Sequence, residues 1–131
     1  MKERVAVAIV RHAGPPGLRV GIDVVRRGRL RASIDRLGDR FARTIFHPRE
    51  LATIDQDGDQ AECRFAAKEA LVKAIGTGVV SGVELPDIET TGDAVVLHGG
   101  LRLVLARLGW RAWSAPLAGG ERCVGAVVWL G

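Results

Sequence analysis

The run RFAAKEALVKAIGTG at residues 64–78 constrains the fold more than any other part of the chain. Its small and apolar residues recur at helical spacing and share one face, formed by Ala67, Ala70, Leu71 and Ala74. Glu69 and Lys73 lie four residues apart and point roughly the other way. The pattern predicts a helix over about residues 60–75 that ends at Gly76, because glycine often follows a helix C-terminus.

The other patterned segments predict strands and helices in mixed order. Apolar, β-branched character predicts three strands, at residues 5–10, 18–25 and 123–131. Apolar positions at helical spacing predict helices at residues 29–46, with Gly38 as a candidate break, and at 100–109. Pro48 predicts the first turn of a further helix at residues 47–51. Residues 87–99 predict a hairpin with its turn at Gly92-Asp93. This order favours an α+β fold, with a mixed or antiparallel sheet and inserted helices, over a doubly wound sheet.

The size and composition of the chain suit one globular domain. It has 131 residues, of which 47% are hydrophobic and 26% charged. Cys63 and Cys123 show no metal-ligand spacing, so we expect two reduced thiols. The apolar run at residues 5–10 is followed directly by Arg11 and is too short for a signal peptide or a membrane span. We therefore expect a soluble, cytoplasmic protein without a membrane partner.

The charge distribution points to an acidic partner. The formal net charge is +4. If residues 29–46 form one helix, four arginines share a face: Arg29, Arg36, Arg40 and Arg43. This face is either an ordinary solvated surface or a docking surface for an acidic helix. Nucleic-acid binding is disfavoured, because the chain has only three Phe, three Trp and no Tyr with which to stack on bases.

Glu69 and Lys73 allow two interpretations. They form either a common surface ion pair or part of a phosphate-handling site, in which Glu69 binds Mg²⁺ and Lys73 neutralises phosphate. Mg²⁺ often takes two protein carboxylates, and Asp23, in an apolar strand, is the candidate for the second. The sequence shows no Walker A run and no nucleophile elbow. The three histidines, His12, His47 and His98, form no recognisable zinc-ligand pattern.

Four motifs then occur in order: GID at 21–23, FARTIFHPREL at 41–51, RFAAKEALVKAIGTG at 64–78 and DIE at 87–89. Together they closely resemble the holo-acyl-carrier-protein synthase family, the small 4′-phosphopantetheinyl transferases. The resemblance covers about residues 20–92. It implies a single transferase domain over residues 1–131, with the predicted strand and turn at residues 1–17 outside the family pattern.

The resemblance implies an enzyme that moves 4′-phosphopantetheine from coenzyme A to a serine of an apo acyl carrier protein of fatty-acid or polyketide biosynthesis. The reaction needs Mg²⁺ and releases adenosine 3′,5′-bisphosphate. Family members form trimers with active sites at subunit boundaries. The carrier serine is the nucleophile, so the enzyme needs none of its own, and the proton acceptor is left open between Glu69, Asp23 and a metal-bound water.

Residue roles follow from the matched motif positions. Asp23 and Glu69 match the two magnesium ligands, and Lys73 matches a lysine that contacts the coenzyme A pyrophosphate. Five residues match the rest of the coenzyme A site: Arg64, Lys68, Gly76, Thr77 and Gly78. The arginines that match the docking site of the acidic carrier protein are Arg29, Arg36 and Arg40.

The chain departs from the family pattern at three places. Arg26 stands where family members commonly have an acidic residue, and the hairpin turn reads Gly92-Asp93-Ala94 instead of Gly-Lys-Pro. Ala115 stands at the position of a late histidine. These departures keep a second interpretation open, a relative that binds coenzyme A or carrier protein without transferring phosphopantetheine.

Overall fold

The computed structural model describes residues 19–54, 60–75, 84–91, 94–109, 112–117 and 123–130. The elements in chain order are β1 (Arg19–Arg26), α1 (Arg29–Leu37), α2 (Asp39–Arg43), α3 (Pro48–Ile54), α4 (Gln60–Ile75), β2 (Ile88–Thr91), β3 (Ala94–Leu97), α5 (Gly99–Leu108), β4 (Ala112–Leu117) and β5 (Cys123–Leu130). A short 3-10 turn, Leu85–Asp87, precedes β2. The predicted strand at residues 5–10, the Gly92-Asp93 turn and Gly76 lie outside the described residues.

The described strands form one five-stranded sheet in the order β1-β5-β4-β3-β2. All four neighbouring pairs are antiparallel. β1 pairs with β5 along its whole length, from Arg19 opposite Leu130 to Arg26 opposite Cys123. The prediction of an α+β fold with an antiparallel sheet and inserted helices is confirmed. Within the described part of the chain, no helix is both long and apolar enough to cross a membrane.

Helix α4 is the centre of the molecule and runs between two hydrophobic cores. At its start, Ala61 joins a core formed by α1, α2, α3 and the segment between α2 and α3, which includes Leu30, Ile34 and Phe46. Further along, α4 packs on β2 and α5 through Ala70, Leu71, Ala74 and Ile75. The predicted alanine face is therefore buried as expected, because small side chains allow close packing.

Gly21 is the point at which β1 and α4 come closest. A Cβ atom at this position would lie 1.8 Å from the Ala70 carbonyl oxygen and 2.9 Å from the Ala74 nitrogen. Atoms cannot approach that closely, so only glycine lets the strand lie against the helix. This contact brings the middle of β1 beside the second half of α4.

We expect Gly21→Ala to force β1 and α4 apart and lower the free energy of unfolding by about 1–3 kcal/mol or more, as overpacked cores do. Thermal unfolding measures the effect. Gly100→Ala is the matched control, because a Cβ at Gly100 meets nothing within 4 Å. Equal stability of the two variants would contradict the tight β1–α4 contact.

The helix predicted over residues 29–46 is interrupted at its candidate break, Gly38. Gly38 has φ 84° and ψ −171°, a conformation that glycine adopts readily, and it separates α1 from α2. Its backbone N–H donates to the Ile34 carbonyl at 2.7 Å and ends α1. Leu37, which the helical pattern places on the apolar side, is consequently exposed.

Strand β4 is absent from the sequence-based prediction. Its segment, AWSAPL, contains Pro116, which cannot donate a hydrogen bond to a neighbouring strand and therefore argues against a strand. The segment nevertheless pairs with β5, with Ala115 opposite Val127 and Pro116 opposite Ala126. It pairs with β3 at Ala94 and Trp113. Tertiary pairing thus overrides a weak local signal.

Candidate active site

The contact between β1 and α4 brings Asp23 beside Glu69 and Lys73, although Lys73 follows Asp23 by 50 residues in sequence. Lys73 Nζ donates to Asp23 Oδ1 at 2.7 Å and lies 3.4 Å from the Ile22 carbonyl oxygen. Glu69 lies one helical turn before Lys73. Lys73 therefore forms an ion pair with Asp23 of β1. The interpretation of Glu69 and Lys73 as a simple surface pair does not include this contact.

Asp23 and Glu69 line the same surface cavity, which has a volume of about 450 Å³. Its other lining residues are Val24, Val25, Arg26, Arg29 and Phe65. Two carboxylates and two arginines therefore border one cavity of a size that admits part of a small-molecule ligand.

The surroundings of Glu69 disfavour its charged form. Partial burial, together with the nearby negative charge of Asp23, raises the pKa of Glu69 above its usual value, and Lys73 opposes this shift. Among the described residues, no hydrogen-bond donor contacts the Glu69 carboxylate. Carboxylate oxygens are the ligands that Mg²⁺ prefers. Asp23 and Glu69 are thus a donor set that fits a magnesium ion.

The raised pKa of Glu69 predicts a pH-dependent stability in chelator-treated protein. A folded-state pKa above the unfolded value adds stability at low pH, and this stability is lost as the pH rises through the folded-state pKa. We expect Glu69→Gln to raise the melting temperature at neutral pH relative to the unsubstituted protein. This difference should vanish in acid, where Glu69 is protonated. Thermal unfolding in EDTA across this pH range measures it, and a constant difference would contradict the assignment.

Lys68 does not reach this cavity. Its side chain is fully buried, and Nζ donates to Glu50 Oε1 at 2.5 Å, to the Leu85 carbonyl at 3.1 Å and to the Ile88 carbonyl. Adjacent residues on a helix point about 100° apart, so Lys68 faces α3 and β2 while Glu69 faces β1. Protein acceptors enclose the ammonium group of Lys68, and this argues against the expected contact with coenzyme A.

Arg64 is oriented like Lys68. It donates from one terminal nitrogen to the Thr90 hydroxyl at 2.8 Å and to the Thr90 carbonyl, and it lies 3.7 Å from Glu50 Oε2. Glu50 also accepts hydrogen bonds from the Thr90 N–H and hydroxyl. Arg64 therefore belongs to a buried polar network that ties α4 to α3 and β2, and it does not line the cavity of Asp23 and Glu69.

Burial lowers the pKa of Lys68, and the Glu50 carboxylate opposes that shift. The sequence analysis did not single out Glu50 or Thr90. Glu50 nevertheless belongs to the FARTIFHPREL motif and begins a helix, where its Oε1 accepts the His47 N–H at 2.9 Å in the manner of a capping box. The sequence signal that could have identified Glu50 is a carboxylate three residues after a helix N-cap.

The arginines proposed for partner docking are exposed. Arg29 lines the cavity, and Arg36, two turns later on α1, lies on the same side of that helix. Arg40 follows the break at Gly38 and belongs to α2. The three residues therefore do not lie on one continuous helix. Gly76, Thr77 and Gly78 lie outside the described residues.

Comparison with known proteins places the chain in a family. The model of the 4′-phosphopantetheinyl transferase superfamily matches residues 19–115. The holo-[acyl-carrier-protein] synthase of Nitratidesulfovibrio vulgaris is 37% identical over 118 residues, which cover 85% of this chain and 95% of the relative.

Two solved structures share the fold. The holo-[acyl-carrier-protein] synthase of Neisseria meningitidis has a TM-score of 0.74 and 30% identity, covering 86% of this chain and 97% of that one. The Helicobacter pylori holo-[acyl-carrier-protein] synthase, solved in complex with coenzyme A, has a TM-score of 0.72 at 19% identity, covering 86% and 99%. The extent of the family match and the identity to the curated relative show that the chain belongs to the 4′-phosphopantetheinyl transferase superfamily, a superfamily of transferase enzymes.

Proposed function

We propose that the chain transfers 4′-phosphopantetheine from coenzyme A to a serine of an apo acyl carrier protein, in a Mg²⁺-dependent reaction that releases adenosine 3′,5′-bisphosphate. One observation carries the proposal: Asp23 and Glu69 line the same cavity, and Lys73 forms an ion pair with Asp23. Membership of the transferase superfamily and similarity to proteins named holo-[acyl-carrier-protein] synthase support the donor and acceptor.

In the proposed reaction, the carrier serine oxygen bonds to the phosphorus that bears pantetheine. The pyrophosphate bond breaks, and the adenosine 3′,5′-bisphosphate leaves with the bond electrons. Lys73, with its side chain 56% exposed, provides a fixed positive charge for the phosphates. The serine proton passes to an acceptor in the cavity, whose two carboxylates are Asp23 and Glu69.

Asp23 and Glu69 are the residues that would hold the magnesium ion. When bound, Mg²⁺ supplies positive charge that stabilises the leaving bisphosphate. We propose that coenzyme A also contacts the loop after α4, with Gly76, Thr77 and Gly78. Arg64 and Lys68 are not among the proposed contacts, because both are engaged with Glu50 and the residues around it.

We propose that the acidic carrier protein docks on Arg29, Arg36 and Arg40, of which Arg29 lines the cavity. Charge reversal by Arg29→Glu is expected to raise the apparent KM for carrier protein by roughly tenfold or more, and the KM for coenzyme A far less. Steady-state kinetics with each substrate varied in turn measures both. Arg102→Glu, at an exposed position on α5, is the control. Equal effects on both KM values would instead place Arg29 at the nucleotide.

We further propose a cytoplasmic homotrimer with active sites at the subunit boundaries. β1, which carries Asp23, is an edge strand among the described strands, so a neighbouring subunit has access to it. Light scattering coupled to size-exclusion chromatography measures the assembly, and a monomer that retains full transfer activity would contradict the proposal.

Incubation with coenzyme A, Mg²⁺ and a panel of apo carrier proteins tests the transferase function. Mass spectrometry should find a phosphopantetheine adduct on the carrier serine and adenosine 3′,5′-bisphosphate in solution, and neither product in EDTA. Measurable coenzyme A binding without an adduct on any carrier would support the alternative, a family member that binds without transfer.

A further inference from the structure

A second cluster of potential ligands lies outside the cavity of Asp23 and Glu69. His47, Glu89 and His98 each offer one ligand atom, and these three atoms all lie within 4.8 Å of one another. His98 Nε2 is 2.9 Å and His47 Nδ1 is 3.9 Å from Glu89 Oε1. The residues come from the start of α3, from β2 and from the residue before α5. No sequence pattern indicates such a cluster, because Glu89 follows His47 by 42 positions.

We infer that His47, Glu89 and His98 form a binding site for a divalent transition-metal ion, with Zn²⁺ as the best match to the donor set. Two imidazoles and one carboxylate, with a fourth position open to water, are a recurrent zinc ligand set. Imidazole also favours Zn²⁺ over Mg²⁺, whose preferred ligands are oxygen atoms. The inference is therefore separate from the magnesium site and independent of the proposed transfer reaction.

Burial and access both suit an ion at this place. Glu89 is only 3% exposed, so its carboxylate needs a compensating charge. The two histidine side chains are partly exposed, at 19% and 31%, which leaves the ion a route from solvent. Among the described residues, the permanently charged group that pairs with Glu89 is the Arg49 guanidinium, 3.3 Å from Glu89 Oε1, and the Arg49 side chain is 72% exposed. An exposed, flexible arginine compensates a buried carboxylate weakly and is readily displaced.

Binding requires a rearrangement of the two rings. Zinc bonds of about 2.0–2.2 Å place neighbouring ligand atoms roughly 3.3–3.6 Å apart. The widest separation in the cluster must therefore shorten by about 1 Å, and the 2.9 Å contact between His98 and Glu89 must lengthen by about 0.5 Å. The imidazoles are stacked with centroids 4.4 Å apart and planes at 16°. Because a ring nitrogen binds metal in the plane of its ring, one imidazole must tilt. His47 Nδ1 must also give up a 3.2 Å hydrogen bond from the Arg49 N–H or bind through its other nitrogen.

Calorimetric titration of the chelator-treated full chain with Zn²⁺ alone tests the site. We expect one site per chain whose affinity falls more than about 100-fold in His98→Gln, since even outer-shell changes cost 10–100-fold. Arg49→Ala should tighten binding by about two- to fivefold, because it removes a competing cation. His12→Gln is the matched histidine control and should bind as the unsubstituted protein does. Co²⁺ in place of Zn²⁺ should give the visible absorption of a low-symmetry, nitrogen-ligated ion.

Two further variants separate this site from the other carboxylates. Glu89→Gln should weaken Zn²⁺ binding as His98→Gln does, and circular dichroism reports whether either variant is folded. Glu69→Gln should leave the Zn²⁺ affinity unchanged. No saturable Zn²⁺ binding by the full chain would overturn the inference. Binding that survives His98→Gln but is lost in Glu69→Gln or His12→Gln would also overturn it, because the ion would then lie elsewhere.

Discussion

Glu69→Gln is expected to lower kcat/KM for phosphopantetheine transfer by about 10³-fold, comparable to the loss of a main electrostatic contact in other active sites. The amide removes the charge that Glu69 contributes to the cavity it shares with Asp23, while the side-chain shape is kept. The fold and the oligomeric state should be unchanged, since Glu69 has no hydrogen bond to another side chain in the described part of the protein. Transfer assayed by mass spectrometry over a range of Mg²⁺ concentrations measures the effect.

Glu84→Gln is the matched control for this substitution, because Glu84 is exposed and lies away from α4 in sequence. It should keep full activity at every Mg²⁺ concentration. Full activity of Glu69→Gln would reduce Glu69 to an ordinary helix-surface residue and remove the main support for the proposed site.

Lys68→Met is expected to destabilise the protein by about 3–5 kcal/mol, the usual cost of leaving one partner of a buried ion pair without the other. The substitution leaves Glu50 at 2% exposure with a charge that Lys68 no longer neutralises. Glu50→Gln should have a similar effect, because it leaves the buried ammonium of Lys68 without its carboxylate. Equilibrium unfolding in urea measures both.

The double variant Glu50→Gln/Lys68→Met provides the internal control. It removes both charges, so it should be less destabilised than the sum of the single variants by more than about 1 kcal/mol. Strict additivity would show that the two residues act independently. If the free energy of unfolding fell by less than about 1 kcal/mol in both single variants, the burial of this pair would be contradicted.

The two sides of α4 have different tasks. The side with Arg64 and Lys68 attaches the helix to α3 and β2 through Glu50 and Thr90. The side with Glu69 faces the cavity beside β1. The buried network therefore restricts how α4 can rotate or shift, and such a restriction keeps Glu69 beside Asp23. Stability and the geometry of the proposed site are coupled through this one helix.

Two of the departures from the family pattern fall on described residues. Arg26 lines the cavity together with Asp23 and Glu69, so its positive charge lies close to the proposed magnesium ligands. Ala115 belongs to β4, where it pairs with Val127 of β5. The position of the missing histidine is therefore part of the central sheet.

Local patterns in the sequence were sufficient to predict most of the described helices and strands. The bounds of α4, the hairpin of β2 and β3, and the helix at residues 100–109 were predicted closely, because each has a regular apolar period or a clear terminal residue. The motifs were also sufficient to select Asp23, Glu69 and Lys73 as residues of one candidate site. Their spacing in the sequence does not show that they lie close together. Their meeting depends on Gly21, whose missing side chain admits Ala70.

The sequence by itself determined the α+β order of elements, the two-sided character of α4 and the family. Only the tertiary structure decided that Lys68 is buried against Glu50 and that His47 meets Glu89 and His98. The physical reason is the range of the forces involved. Helical and strand periodicity act over a few residues, whereas charge burial and ligand convergence depend on segments about 20–50 residues apart that meet only when the core packs.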